Sequence, residues 1–240
     1  MKTVNSNIMA ETSLVQSIEN RKQVRLESGL EDRMSARSFN LVLCGALVYG
    51  LIVNAVMVYF LYAPLQQLAS RVGWFGWLLI YTIPSLTGII LSAKSSNPVV
   101  SFIGYNLVVL PIGLLLALAV PGLPSSIVVK AMVLTAMVTL TMMVLAVVIP
   151  NFFLSLGRTL FVALLVGLFA EIAATFLFGY RGMLFDWLFV IVFSGYIGYD
   201  IAKSQIFPKT LDNAIDCALD IYLDVINLFI RILSILSKRD

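Results

Sequence analysis

Four aspartates recur at every fourth residue near the carboxyl end of the chain: Asp212, Asp216, Asp220 and Asp224, in LDNAIDCALDIYLDVINLFIRIL. Residues at i and i+4 share a helix face, so these acids form one slowly drifting stripe. Asn227 and Arg231 extend it, Arg231 returning to nearly the same face seven residues after Asp224. Asp200 stands in the preceding apolar segment, in FSGYIGYDIAKSQ, and Glu171 in the one before that. An ionisable residue inside a membrane is costly to keep and points to a path for ions, protons or substrate. Two carboxyl groups that meet away from water cannot both ionise cheaply, so they share a proton and titrate as a unit. Losing that proton leaves adjacent negative charges, which either push their helices apart or gather around a cation. Ca2+ takes roughly six to eight oxygens, so a pair such as Asp200 and Asp224 would hold it only with water and backbone carbonyls, as a transient site.

The elements that must position these acids are membrane helices. The 240 residues are 60% hydrophobic and 12% charged, with a mean hydropathy of +0.97. A soluble domain carries about a quarter charged residues, so the chain falls outside that class. Seven apolar stretches follow a polar tail over residues 1–38: about Phe39–Tyr62, Gly76–Ala93, Val99–Val120, Ser126–Ile149, Gly157–Gly179, Met183–Gln205 and Leu211–Leu236. Each is close to the ~20 residues needed to cross the hydrocarbon core. Pro64, Lys94 to Pro98, Pro121 to Pro124, Pro150-Asn151, Tyr180 to Gly182 and Pro208-Lys209 punctuate them. The short loops predict sequential antiparallel helices in one all-α bundle, residues 39–240, with no extramembrane domain. Pro84 and Pro111 fall inside the second and third helices and should kink or loosen them.

Several chemistries are excluded or disfavoured. With no histidine, the chain lacks the commonest general base and metal ligand. Cys44 and Cys217 stand in separate apolar segments and in no metal or redox spacing, as buried inert thiols would. The net charge of +3 is scattered, so nothing suggests nucleic acid. An amino terminus on the inside places ten Lys and Arg inside against six outside, which favours a cytoplasmic tail. Seven spans would then put the carboxyl end outside, unless the last helix enters and leaves by one face.

The acids also have plain structural readings. Asp212 follows Thr210, a good N-cap, and sits where the helix dipole favours an acid; Asp186 reads as another first-turn acid. Asp216 lies near the interface. Glu171 could pair with a base such as Arg231, and Asp200, Asp220 and Asp224 could be buried hydrogen-bonding groups or partners of Arg231. Counting from the turn at Pro208, Asp200 is eight residues before and Asp216 eight after. Strict antiparallel register therefore favours Asp200 with Asp216, while a displaced junction would bring Asp224 opposite. Both pairings stay open on spacing alone.

At these residues the chain resembles the Bax inhibitor-1 (transmembrane Bax inhibitor motif) family. The family's LYLDxINLF pattern appears as Ile221-Tyr222-Leu223-Asp224-Val225-Ile226-Asn227-Leu228-Phe229, and Tyr199-Asp200 resembles its YD in the sixth helix. The resemblance implies a seven-helix bundle with helix 7 central and a pH-sensitive calcium leak governed by a di-aspartyl sensor. By motif that pair is Asp200 and Asp224; Asp220 matches an acid of some members. Bacterial relatives can carry an arginine near the end of helix 2 that latches the helix 6 aspartate. Here the nearest base is Lys94, which cannot grip a carboxylate bidentately. Glu171 departs from the pattern, and the short SKRD tail resembles bacterial relatives, implying an inner membrane.

Three functions compete. A proton-gated leak would use protons and Ca2+ as its partners in the bilayer, with no cofactor and no enzymatic step. A regulatory membrane protein would bind other membrane proteins, a protease or a stress and cell-death component, with the polar tail as its surface. An intramembrane aspartyl protease also places YD on one helix and a second aspartate on the next. Its second aspartate follows GxG, whereas Ile221-Tyr222-Leu223 precedes Asp224, and its PAL motif is missing. A proton-coupled transporter finds no inverted-repeat signature here.

Overall fold

A computed structural model describes residues 33–69, 71–179 and 182–238. The polar tail lies outside the described residues as far as residue 32, as do Tyr180, Arg181 and Arg239. Among the described residues all regular structure is helical: α1 (Ala36–Ala69), α2 (Trp74–Lys94), α3 (Pro98–Ala119), α4 (Ser125–Val148), α5 (Pro150–Phe178), α6 (Met183–Ser204) and α7 (Leu211–Ser237). Most ends fall within a residue or two of the apolar segments, because the breakers set them. Asn97 caps α3 by accepting from the Val99 amide, with Pro98 in the first turn. Gly179 ends α5 in the left-handed conformation, φ 63°, which a side chain would oppose.

Pro64 departs from the expectation that it ends its helix, whereas Pro150 marks the break between α4 and α5 as expected. Pro64 lies inside α1, which runs on to Ala69. It removes one amide from the ladder, and Leu65 just beyond it is buried and anchors the last turns. Pro150 opens α5 at its first position, where an amide would be unpaired in any case. Pro84 and Pro111 lie inside α2 and α3 as expected.

The bundle is apolar on its outer surface and encloses buried acids within an otherwise hydrophobic core. Helices α1 to α6 are long and apolar enough to cross a membrane. α7 misses that standard because it carries Asp212, Asp216, Asp220, Asp224 and Arg231, yet its 27 residues reach ~40 Å. α7 packs against α1, α3, α4 and α6; α3 lies between α1 and α2, and α5 leans chiefly on α6. Large side chains such as Val133, Met137, Leu140 and Val144 on α4, and Phe161, Val166 and Phe169 on α5, face outward. Asp200, Asp212, Asp216 and Asp224 are buried. A soluble protein could not expose so much apolar surface, whereas lipid would cover it.

Close helix approach in the outer layer comes from small residues. A Cβ on Gly104 would stand 2.7 Å from the Gly88 carbonyl oxygen, so α2 and α3 meet backbone to backbone there. That contact holds Ser92 and Ser101, which flank the α2–α3 turn, against the start of α7.

Candidate functional site

α7 runs antiparallel along the whole of α6. At one end Lys209 Nζ donates to the Ser204 carbonyl at 2.9 Å; at the other Ser234 and Lys238 reach Asp186 in the first turn of α6. The start of α1 holds the α6–α7 linker: the Met34 amide donates to the Lys209 carbonyl at 2.8 Å. Lys209 Nζ also lies 4.5 Å over the Phe39 ring. Burial lowers the pKa of the Lys209 ammonium from its ordinary value, with nearby Cys217 acting the other way.

The structure brings Asp200 of α6 and Asp224 of α7 close enough for their carboxyl groups to interact electrostatically. Two carboxyls this close and shielded from water cannot both ionise cheaply, which favours one proton held between them. Both residues are buried, and among the described residues Asp224 Oδ2 has no hydrogen-bond partner. Lys203, one turn after Asp200, donates to Asp200 Oδ1 at 2.8 Å and to Asp220 Oδ2 at 3.3 Å. The site thus grades from half-buried Lys203 and Asp220 to fully buried Asp224. Tyr196 is close enough to interact electrostatically with Asp200 and Asp224, and the Tyr199 ring lies 5.3 Å from Lys203 Nζ.

Register counting had favoured Asp200 with Asp216, and the structure corrects this. Asp200 lies four residues before the end of α6, Asp224 thirteen after the start of α7. At 1.5 Å per residue those depths differ by ~14 Å. The linker, residues 205–210, can span ~20 Å when extended and runs on past the end of α6 instead of turning back at Pro208. Asp216 is buried elsewhere and accepts from Ser92 Oγ of α2. Asp212 accepts from Ser101 Oγ of α3 at 2.6 Å, and Thr210 caps α7 by accepting from the Asn213 amide. The stripe drifts enough to divide: its first two acids face α2 and α3, its last two face α6.

The expected counter-ions are placed differently too. Arg231 does not meet Asp200, Asp220 or Asp224 in an ion pair. It grips Glu171 bidentately, at 2.6 and 2.7 Å, and reaches Asp186 at 3.1 Å, with its guanidinium 4.2 Å over the Phe189 ring. Seven residues is a near return in angle but ~10 Å along the axis, which carries Arg231 to the far end of α6. Lys94 is exposed and makes no ion pair among the described residues. Lys203 stands beside Asp200 instead. Its i,i+3 spacing from Asp200 is the sequence signal for that contact. Among the described residues, no three His, Cys, Asp or Glu side chains converge as a metal cage.

An all-helical body with apolar helices outside and paired carboxyls within defines a multi-pass membrane protein. Residues 36–240 match the family model described as inhibitor of apoptosis-promoting Bax1, and the chain belongs to that family, the Bax inhibitor-1 family. The chain matches no curated protein and no solved structure.

Proposed function

We propose that the protein is a pH-sensitive cation leak with Ca2+ as the permeant ion, gated by the proton that Asp200 and Asp224 share. α7 serves as the seventh span and the centre of the bundle, and binds no resident cofactor. The reading is carried by one observation: two buried carboxyls from adjacent helices are close enough to interact, and one Asp224 oxygen has no hydrogen-bond partner among the described residues. The motif resemblance selects the same pair. Asp220 forms the outer part of the pathway; Ca2+ visits Asp200 and Asp224 transiently and completes its shell with water and backbone oxygens. The membrane is a bacterial inner membrane with the amino terminus cytoplasmic, and the chemistry is passage, not catalysis.

The direction of the pH effect follows from charge. Three carboxyls holding one proton, against the Lys203 ammonium, leave one net negative charge at this end of the pair. When the shared proton departs as pH rises, two remain, which favours cation entry and strains the α6–α7 contact. Calcium release from proteoliposomes, titrated over about pH 5–9 to span shifted carboxylates, should therefore increase with pH. Asp224→Asn and Asp200→Asn, which remove the shared proton site, should flatten that profile. Equal flux at every pH in all three proteins would overturn the mechanism.

A further inference from the structure

We infer that Lys203 is a tethered cation occupying the outer position of the pathway, which a permeant divalent ion must displace in order to bind. The inference rests on the proposed leak and names the residue that sets its cation affinity. Lys203 Nζ sits between oxygens of two carboxylates on different helices, 2.8 Å from Asp200 and 3.3 Å from Asp220. That is where a cation entering from the α6–α7 linker end would first meet two oxygen ligands. Immediately inward lies Asp224, buried, close to Asp200 and with Oδ2 unpartnered among the described residues. The ammonium is thus poised at the mouth of a site that still has an unused ligand atom.

The lysine side chain suits displacement better than an arginine would. Its charge is compact and strongly hydrated, it makes no bidentate grip, and its stem is flexible. Its side chain is 28% exposed, so it can swing out without opening the bundle. The rings of Tyr199 and Phe207 lie 5.3 and 6.0 Å from Nζ and offer it a resting surface outside the carboxylates. An ion pair at this depth would be displaced by a divalent cation, which offers both carboxylates twice the charge.

Two measurements test this on the full-length protein in detergent and in nanodiscs. In the first, 45Ca2+ binding at fixed pH should be about tenfold tighter for Lys203→Gln, in proportion to the competing charge removed, and weaker than wild type for Lys203→Arg, whose guanidinium grips carboxylates harder. In the second, the reactivity of Lys203 in the wild type toward an amine acylating reagent, read by mass spectrometry, should rise with added Ca2+ and not with Na+ at equal ionic strength. Reactivity that ignores Ca2+, or equal affinity in Lys203→Gln and wild type, would overturn the inference and make Lys203 a simple ion-pair partner. The acylation measurement needs no variant and decides the matter even if Lys203→Gln fails to fold. Failure of the leak itself reads differently: Lys203 would still answer to Ca2+ while liposome flux stayed absent.

Discussion

The two ends of the α6–α7 pair carry ionic clusters built from the same residue types and balanced in different ways. At the Ser234 end, Glu171 and Asp186 face Arg231 and Lys238, and each carboxylate is met at 2.6 to 3.1 Å by a cation. Ser234 Oγ adds a further bond to Asp186 at 2.9 Å, and Phe189 backs the guanidinium. At the linker end, Lys203 pairs with Asp200 and Asp220, and among the described residues Asp224 makes no ion pair and has one oxygen with no hydrogen-bond partner. A balanced cluster has little to gain from changing its protonation. An acid-rich one is held together by a proton and comes apart when the proton leaves. The first therefore reads as a staple joining α5, α6 and α7, the second as the part that moves.

Opposite responses to loss of charge are the sharpest way to break this contrast. Asp224→Asn should abolish the pH dependence of calcium flux at little cost in stability, because a neutral amide of the same shape replaces one of two carboxyls that repel each other when ionised. Arg231→Met should do the reverse: it strands Glu171 and leaves Asp186 to Lys238 and Ser234, costing about 3 kcal/mol after allowance for partial exposure, and leaves the shape of the pH profile intact. Asp186→Asn removes two ion-pair contacts from a side chain only 4% exposed and should cost about 2 kcal/mol. Stability is readable from the temperature at which the buried Cys217 becomes accessible to a thiol dye, in a Cys44→Ser background. If Asp224→Asn and Asp186→Asn lowered that temperature equally, the two clusters would be alike and the division between staple and sensor would be lost.

The helices were legible in the sequence for a simple reason: lipid-facing segments must be apolar throughout, and prolines and glycines mark their ends. Pro64 misled because a proline's effect depends on which amide is missing, not on the presence of the ring, whereas Pro150 did mark a helix boundary. The acids were legible as a stripe, but their partners were not. Periodicity gives angle around α7 and says nothing about where a six-residue linker sets it down along α6. That axial offset of ~14 Å decided between Asp216 and Asp224 and moved Arg231 away from both. The serines that meet the first half of the stripe carried no signal at all. Ser92 and Ser101 look like any small polar residue in an apolar run, and only the close packing of α2 on α3 brings them to α7.

That first half of the stripe supplies the smallest predicted effect and completes the contrast. Asp212 and Asp216 are acids of the same helix as Asp224, equally buried, but each accepts a hydroxyl donated by a neighbouring helix. Ser92→Ala would remove one donor from the Asp216 carboxylate, a change worth about 1–2 kcal/mol for a hydrogen bond to a charged group. Ser101→Ala should cost a similar amount through Asp212, with the helix dipole at the start of α7 still favouring the acid. Neither serine touches the α6 cluster, so both variants should keep the wild-type pH profile of calcium release while lowering the Cys217 exposure temperature by a few degrees. A pH profile displaced by Ser92→Ala would mean that Asp216 and Asp224 titrate together, and the sensor would then extend along the whole stripe.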